Sequence, residues 1–197
     1  MLMKIYKNLM KREKINILKH KNMALLSLIE HVHFNKDYPQ LLQLISNMFE
    51  TMYESNGIGL AAPQIGLPIR LFVVDGADVD DIKPKGFKQV FINATIKEEF
   101  GTEWDFEEGC LSIPNVRANV KRKGELTIHF FDEKWQEHTQ TFDGMAARII
   151  QHEYDHIEGI LFTDRVSPLK RGMIKKRLEN ISKGYVDVDY KMKFPKK

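Results

Sequence analysis

The strongest chemical signal in the chain is His152-Glu153-Tyr154-Asp155-His156. Residues four apart on a helix share a face, so both imidazoles can reach one metal ion, with Glu153 beside them as general base. Met145, Ile149, His152 and His156 step by four, three and four. That spacing puts the histidines on the core-facing side, where a neutral imidazole needs a partner. A bare H-E-x-x-H also arises by chance, as two partly buried histidines bonded to backbone. A catalytic metal site further needs a third protein ligand and an open position for water. The third histidine of a metzincin pattern falls on Phe162, so that route fails. A thermolysin-like route would use Glu179 on the following helix. The remaining candidate is Cys110, in Glu108-Gly109-Cys110-Leu111-Ser112. There the glycine permits an unusual backbone, and the acidic and hydroxyl neighbours can hydrogen-bond to ligands. A lone cysteine is more often a small buried apolar residue. His20, His31, His33, His129 and His138 lack a ligand-like setting and read as surface or strand residues.

A third feature is Gly57-Ile58-Gly59-Leu60-Ala61-Ala62-Pro63-Gln64. It superficially resembles a phosphate loop, but it follows a helix and precedes a strand. That is the reverse of the dinucleotide-binding order, which excludes nucleotide binding by this segment. Its small residues let a substrate backbone approach closely, and Gln64 offers an amide donor of the kind that stabilises an oxyanion. The bland alternative is a tight connection.

These segments need elements to hold them. Leu41, Leu44, Ile45, Met48, Phe49 and Met52 recur at helical spacing, which predicts a helix between Asp37 and Gly57. Asp37 is the expected cap, Pro39 sits in the first turn, and Asn56-Gly57 is the stop. Gly57 to Gly66 reads as a loop rich in small residues, and Arg70 to Asp75 and Gln89 to Ile96 as strands. Residues 76–88 read as a polar connection. Short strands are expected around Cys110 and over Val116 to Arg122, Glu125 to Phe131 and Glu137 to Phe142. A second helix is predicted from Gly144 to Ile157, capped by Asp143 and ended before Gly159, and a third from Pro168 to Lys183, stopped by Gly184. Val186, Val188, Tyr190 and Met192 alternate as in a final strand. The fold class is α+β, with mixed or antiparallel strands packed around a central metal-binding helix.

The 197 residues suit one domain with its own hydrophobic core. No apolar run of about 18 residues is present, so no membrane span is expected. The basic start lacks the apolar core and cleavage site of a signal peptide, and the expected location is the cytoplasm. The single cysteine has no internal disulfide partner, and a reducing compartment keeps it free for catalysis or metal binding. The formal charge of +3 is small. Lys170, Arg171, Lys175, Lys176 and Arg177 cluster without interleaved aromatics, so they read as a solvated helix face rather than a nucleic-acid patch. No specific DNA partner and no membrane partner are expected.

The segments GIGLAAPQ, EGCLS and QHEYDHIEG, in this order, resemble the three signature motifs of peptide deformylases. Each alone is ambiguous, and together they fit one site. The resemblance runs from about Asp37 to Lys183. It implies a bacterial metal-dependent hydrolase that removes the formyl group from the N-terminal formylmethionine of nascent polypeptides and releases formate. It implies Cys110, His152 and His156 as metal ligands, with a water or hydroxide as the fourth. Glu153 is the implied general acid and base, and Gln64 with the Leu111 N–H the implied holders of the formyl oxygen. Gly57, Ile58, Gly59, Gly109 and Arg117 are the implied substrate-binding residues. Ile58, Phe106, Met145 and Ile149 are candidates for the methionine pocket, with ordinary core packing an equal account of the last two.

The implied cofactor is one divalent ion, iron(II) in the cell, with zinc, nickel or cobalt able to substitute. N-formylmethionyl nascent peptides are the implied partners. The resemblance further implies the ribosome near the exit tunnel as a candidate partner. Ile157 stands where the family usually has leucine. Residues 1–35 do not resemble the family's usual opening, and the strand-like tail differs from members that end in a long helix. Two other classes compete with this reading. One is a zinc endopeptidase using Glu179, which leaves the first two motifs unexplained. The other is a non-catalytic module binding RNA or the ribosome.

Overall fold

Alternation along two neighbouring strands sets the layers of this protein. Leu71 and Val73 face one way with Ile92, while Phe72 and Val74 face the other with Phe91. Successive strand side chains point to opposite faces, so one sheet supports two cores. The computed structural model describes residues 17–18, 35–38, 40–79, 82, 87–190 and 192–193. Its main sheet has the order β2 (Gly59–Ala61), β3 (Leu71–Asp75), β4 (Lys88–Cys110), β5 (Ile113–Phe131) and β6 (Glu137–Asp143), antiparallel throughout. Helix α1 (Leu41–Glu54) packs its buried stripe of Leu44, Ile45, Met48 and Met52 on the first face. Helix α2 (Gly144–Ile157) packs Ala146, Ala147, Ile149, Ile150 and Ile157 on the second. The expected α+β class is the observed one.

Helix α1 starts later than the sequence suggests. Asn35 closes a turn by accepting from the Tyr38 N–H through its carbonyl and from the Asp37 N–H through its side chain. Asp37 is therefore spent inside that turn, and the cap position falls to Gln40 in the left-handed region, with φ 58°. Pro39 lies outside the described residues. At the other end Asn56 supplies the left-handed residue, with φ 56°, and the Gly57 N–H returns to the Met52 carbonyl at 2.8 Å. Helix α2 has the predicted bounds. Asp143 holds the cap position in extended backbone, but its side chain makes no capping bond.

The short strands expected around Cys110, Val116 to Arg122 and Glu125 to Phe131 are one long hairpin. Gly124 looks like a break in the sequence, yet the strand runs through it. A Cβ there would stand 3.0 Å from the Thr102 carbonyl oxygen, so glycine permits close approach of the neighbouring strand rather than ending its own. Register shifts between Ile92 and Thr95, Ile96 and Glu98, and Phe100 and Glu103 mark irregularities that bend such a ladder. The two halves of β5 accordingly join different cores. Leu126, Ile128 and Phe130 pack with α2, whereas Ile113, Val116, Ala118 and Val120 pack with Phe162, Val166 and Ile181.

Helix α3 (Pro168–Ser182) is capped by Ser167, whose hydroxyl accepts from the Lys170 N–H, and Gly184 follows it with φ 84°. The connection between β3 and β4 is not purely polar, since Ile82 and Phe87 are buried in the second core. Gly57 to Gly66 is not a plain loop. It holds β2 and a 3-10 turn over Ala62–Ile65. The tail keeps the predicted alternation in burial, with Val186, Val188, Tyr190 and Met192 half-buried, but not in pairing. Among the described tail residues only β7 (Met192–Lys193) is a strand, parallel to β1 (Ile17–Leu18).

Candidate metal centre

Cys110 is the last residue of β4, and His152 and His156 lie one turn apart on α2. Their ligand atoms all fall within 4.8 Å of one another. Cys110 Sγ is 3.3 Å from His156 Nε2, and the two imidazole centroids are 5.1 Å apart. One thiol and two imidazoles at this spacing fit a divalent ion with a fourth position left for water. Glu179 is exposed on α3 and outside this group. Phe162, where a metzincin would carry histidine, is buried and stacks on the His152 ring at 6.2 Å.

A chain of buried charges orients the site. Glu108 Oε2 is 3.0 Å from His152 Nδ1. An Nδ1–H donated to this carboxylate leaves the Nε2 lone pair for a metal. Arg122 grips Glu108 with two bonds, of 2.7 and 2.9 Å, and Arg148 donates to it at 2.7 Å. Arg122 also donates to Asp155 at 2.8 Å, and Asp155 accepts from Arg165 at 2.6 Å. Burial alone would raise the Glu108 carboxyl, but the hydrogen bonds from His152 and Arg122 outweigh it and hold the group far below the usual range. Burial likewise opposes a charged His152, and the bonds to Cys110 and Glu108 overcome it, pushing that imidazole up to about 10. A cation on the same sulfur and nitrogen must displace that proton, so metal uptake releases protons.

Glu153 is buried at 4% exposure, and its Oε2 has no hydrogen-bond partner among the described residues. Burial pushes its carboxyl up to about 7. A buried carboxylate oxygen without a partner is costly, and a cation on the adjacent ligands offsets that cost by favouring the ionised form. The chemistry of this pocket thus fits a bound metal. Gly59 of β2 lies against Glu153, and Gly57 lies against Leu111, whose Cδ1 would be 2.8 Å from a Cβ there.

Gln64 sits on the 3-10 turn. Its Oε1 accepts from the Ala61 N–H at 2.7 Å, which fixes the amide orientation. Its Nε2 donates to Ser112 Oγ at 3.2 Å and lies 3.8 Å from Cys110 Sγ. Leu111 and Ser112 form the turn between β4 and β5. Arg117 pairs opposite Gly109, and a Cβ on that glycine would be 3.5 Å from Arg117 Cγ, so the exposed arginine lies over the cysteine segment. Of the pocket candidates, Ile58 and Phe106 are exposed at 42% and 39%. Ile149 belongs to the second core and Met145 packs against it, which accounts for both without a ligand. His129 and His138 pair with Glu137 and Asp132 on the sheet, and His20, His31 and His33 lie outside the described residues.

The sequence reading overlooked Arg122, Arg148, Asp155 and Arg165. One signal was available. Arg122 continues the inward-facing series Val116, Ala118, Val120, and a charge at a core-facing position requires a buried partner.

A cysteine and two helix-borne histidines with a buried glutamate beside them define a metallohydrolase of the H-E-x-x-H type. The sequence pattern of the polypeptide deformylase family matches residues 14–172. The chain is 55% identical over 170 residues to the peptide deformylase of Christiangramia forsetii, covering 82% of this chain and 87% of the relative. It is 54% identical over 172 residues to that of Flavobacterium psychrophilum, covering 82% and 89%. A peptide deformylase structure from Legionella pneumophila superposes with a TM-score of 0.74 at 35% identity, over 87% of this chain and 96% of that one. A plant peptide deformylase superposes with a TM-score of 0.77 at 31% identity, over 90% and 96%. The chain belongs to the peptide deformylase family: it is a hydrolase, and the family's activity is the metal-dependent removal of the formyl group from N-formylmethionine. The match starts at residue 14, upstream of Asp37, so the family pattern includes part of the opening that reads as atypical. Most of that opening lies outside the described residues. No described helix is long and apolar enough to cross a membrane.

Proposed function

We propose that this chain deformylates nascent peptides through Cys110, His152 and His156 as metal ligands, Glu153 as acid and base, and Gln64 with the Leu111 N–H as oxyanion donors. What supports these roles above all is the convergence of the three ligand atoms within 4.8 Å, with the unpartnered Glu153 Oε2 on the same helix. A divalent cation held there supplies Lewis acidity and brings the pKa of a water down to about 7.

The chain's own groups do the rest. Glu153 accepts the proton of the attacking water and passes it to the leaving amine, which departs as the free N-terminus of methionine while formate is released. Negative charge grows on the formyl oxygen as the carbon becomes tetrahedral. The Gln64 amide and the Leu111 N–H donate to that oxygen, in positions fixed before the substrate arrives. Gly57, Gly59 and Gly109 let the peptide backbone lie close, the exposed Ile58 side chain borders it from the same segment, and Arg117 meets it from the hairpin side.

Iron(II) is the proposed metal in the cell, with zinc, nickel or cobalt as substitutes. The thiolate and imidazole ligands suit them, and a cysteine–iron site is vulnerable to oxidation. The same reading makes residues 1–197 one catalytic domain, working in the bacterial cytoplasm on chains leaving the ribosome. Formate release from formyl-Met-Ala, measured anaerobically on protein loaded in turn with iron and zinc, tests it. Turnover that is highest with iron and absent without metal is expected. No formate with any metal overturns the reading.

A further inference from the structure

The C-terminal tail crosses the tip of the β4–β5 hairpin. Asn115 Nδ2 donates to the Asp187 carbonyl at 3.1 Å, and Val186 packs against the cluster that includes Ile113 and Val116, beside Cys110. The tail then delivers Tyr190, whose hydroxyl donates to the Leu111 carbonyl at 2.7 Å. Leu111 is a turn residue. It lies outside the paired register of β4 and β5, where a carbonyl is satisfied by a side chain or by water. Here the phenol does so from 79 residues away in sequence.

We propose that Tyr190 is a positioning residue for deformylation, holding the Leu111–Ser112 turn so that the Leu111 N–H and the Gln64 amide stay aimed at the formyl oxygen. The inference rests on the reading of those two groups as oxyanion donors. The link to both is direct. The Tyr190 bond restrains rotation of the residue whose own N–H is one donor. The next residue, Ser112, accepts from Gln64 Nε2 at 3.2 Å and so holds the other. Oxyanion donors stabilise a transition state only when they need no reorientation as the charge develops. Burial, with the charge of Cys110 adding, pushes the Tyr190 phenol up to about 12, so it stays a donor across the working range of pH.

Tyr190→Phe removes the hydroxyl and keeps the ring. In the full-length, metal-loaded enzyme this variant is expected to lose roughly tenfold in kcat, less than the loss of an oxyanion donor itself. KM, metal content, melting temperature and the shape of the pH–rate profile are expected to match the wild type. Val186→Ala loosens the same tail without touching the hydroxyl and is expected to cost less in kcat. An unchanged kcat in Tyr190→Phe overturns the inference. A loss that tracks metal content or melting temperature, or that Val186→Ala equals, overturns it too. A wild type that releases no formate removes the deformylase reading instead. An amide-to-ester replacement of the Leu111 N–H that leaves kcat unchanged removes the donor reading, and the inference with it.

Discussion

Gly59 lies directly against Glu153: a Cβ built on the glycine would stand 2.7 Å from both Cγ and Cδ of the glutamate. Non-bonded carbons settle at roughly 3.5–4.0 Å, so a methyl group there must move the carboxylate. Gly59→Ala is predicted to keep its metal, because the atoms nearest the added methyl all belong to Glu153, and to lose about tenfold or more in turnover through misplacement of the proposed base. Metal analysis and formate release on one preparation check this. Wild-type turnover would show that the glutamate can give way without consequence.

Cys110 and Glu179 were rival third ligands in the sequence, and they occupy opposite situations in the fold. Cys110→Ala is predicted to abolish tight metal binding, whereas Glu179→Ala, on the exposed face of α3, leaves it nearly intact. Metal content of both folded variants decides the matter. Loss of metal in the Glu179 variant alone would favour an endopeptidase-like site.

Arg122 is 3% exposed and bridges Glu108 to Asp155. Arg122→Met removes one partner from each of two buried carboxylates. Because Glu108 keeps Arg148 and His152 and Asp155 keeps Arg165, the expected loss lies below the ~3–5 kcal/mol of breaking a buried pair outright. Urea unfolding at neutral pH measures it, and a change within ~0.5 kcal/mol would mean the network is not holding the hairpin on α2. The pH dependence follows from the depressed Glu108 carboxyl. A group whose folded pKa lies below its unfolded value stabilises the fold above the unfolded value, about 4.3 for glutamate, and that stability is lost as pH falls further. Wild-type stability is therefore predicted to drop below about pH 4 more steeply than that of Arg122→Met.

The candidate metal-binding group was legible because its chemistry survives without coordinates. Histidines four apart on an apolar stripe point the same way on any helix, and α2 has the predicted bounds. Cys110 became legible through its neighbours, Glu108 and Ser112, which bond to His152 and Gln64 respectively. Continuity of the β4–β5 hairpin was not legible. A glycine that ends a strand and one that admits a neighbouring carbonyl look alike in sequence, and Gly124 is of the second kind. The start of α1 was hidden for a related reason, since Asp37 could cap a helix or sit in a turn, and here the Asn35 turn takes it. The Tyr190 contact joins residues 79 apart, and no local pattern encodes it.

Glu153→Gln tests the account at its centre. The substitution keeps the size and shape of the side chain and removes its basicity. Metal content, inhibitor binding and formate release are measured on the same preparation. The account predicts a full complement of metal, intact inhibitor binding and a loss of about a hundredfold or more in turnover, the lower range for a positioned acid and base. Near-normal turnover, or loss of the metal together with the activity, would contradict it.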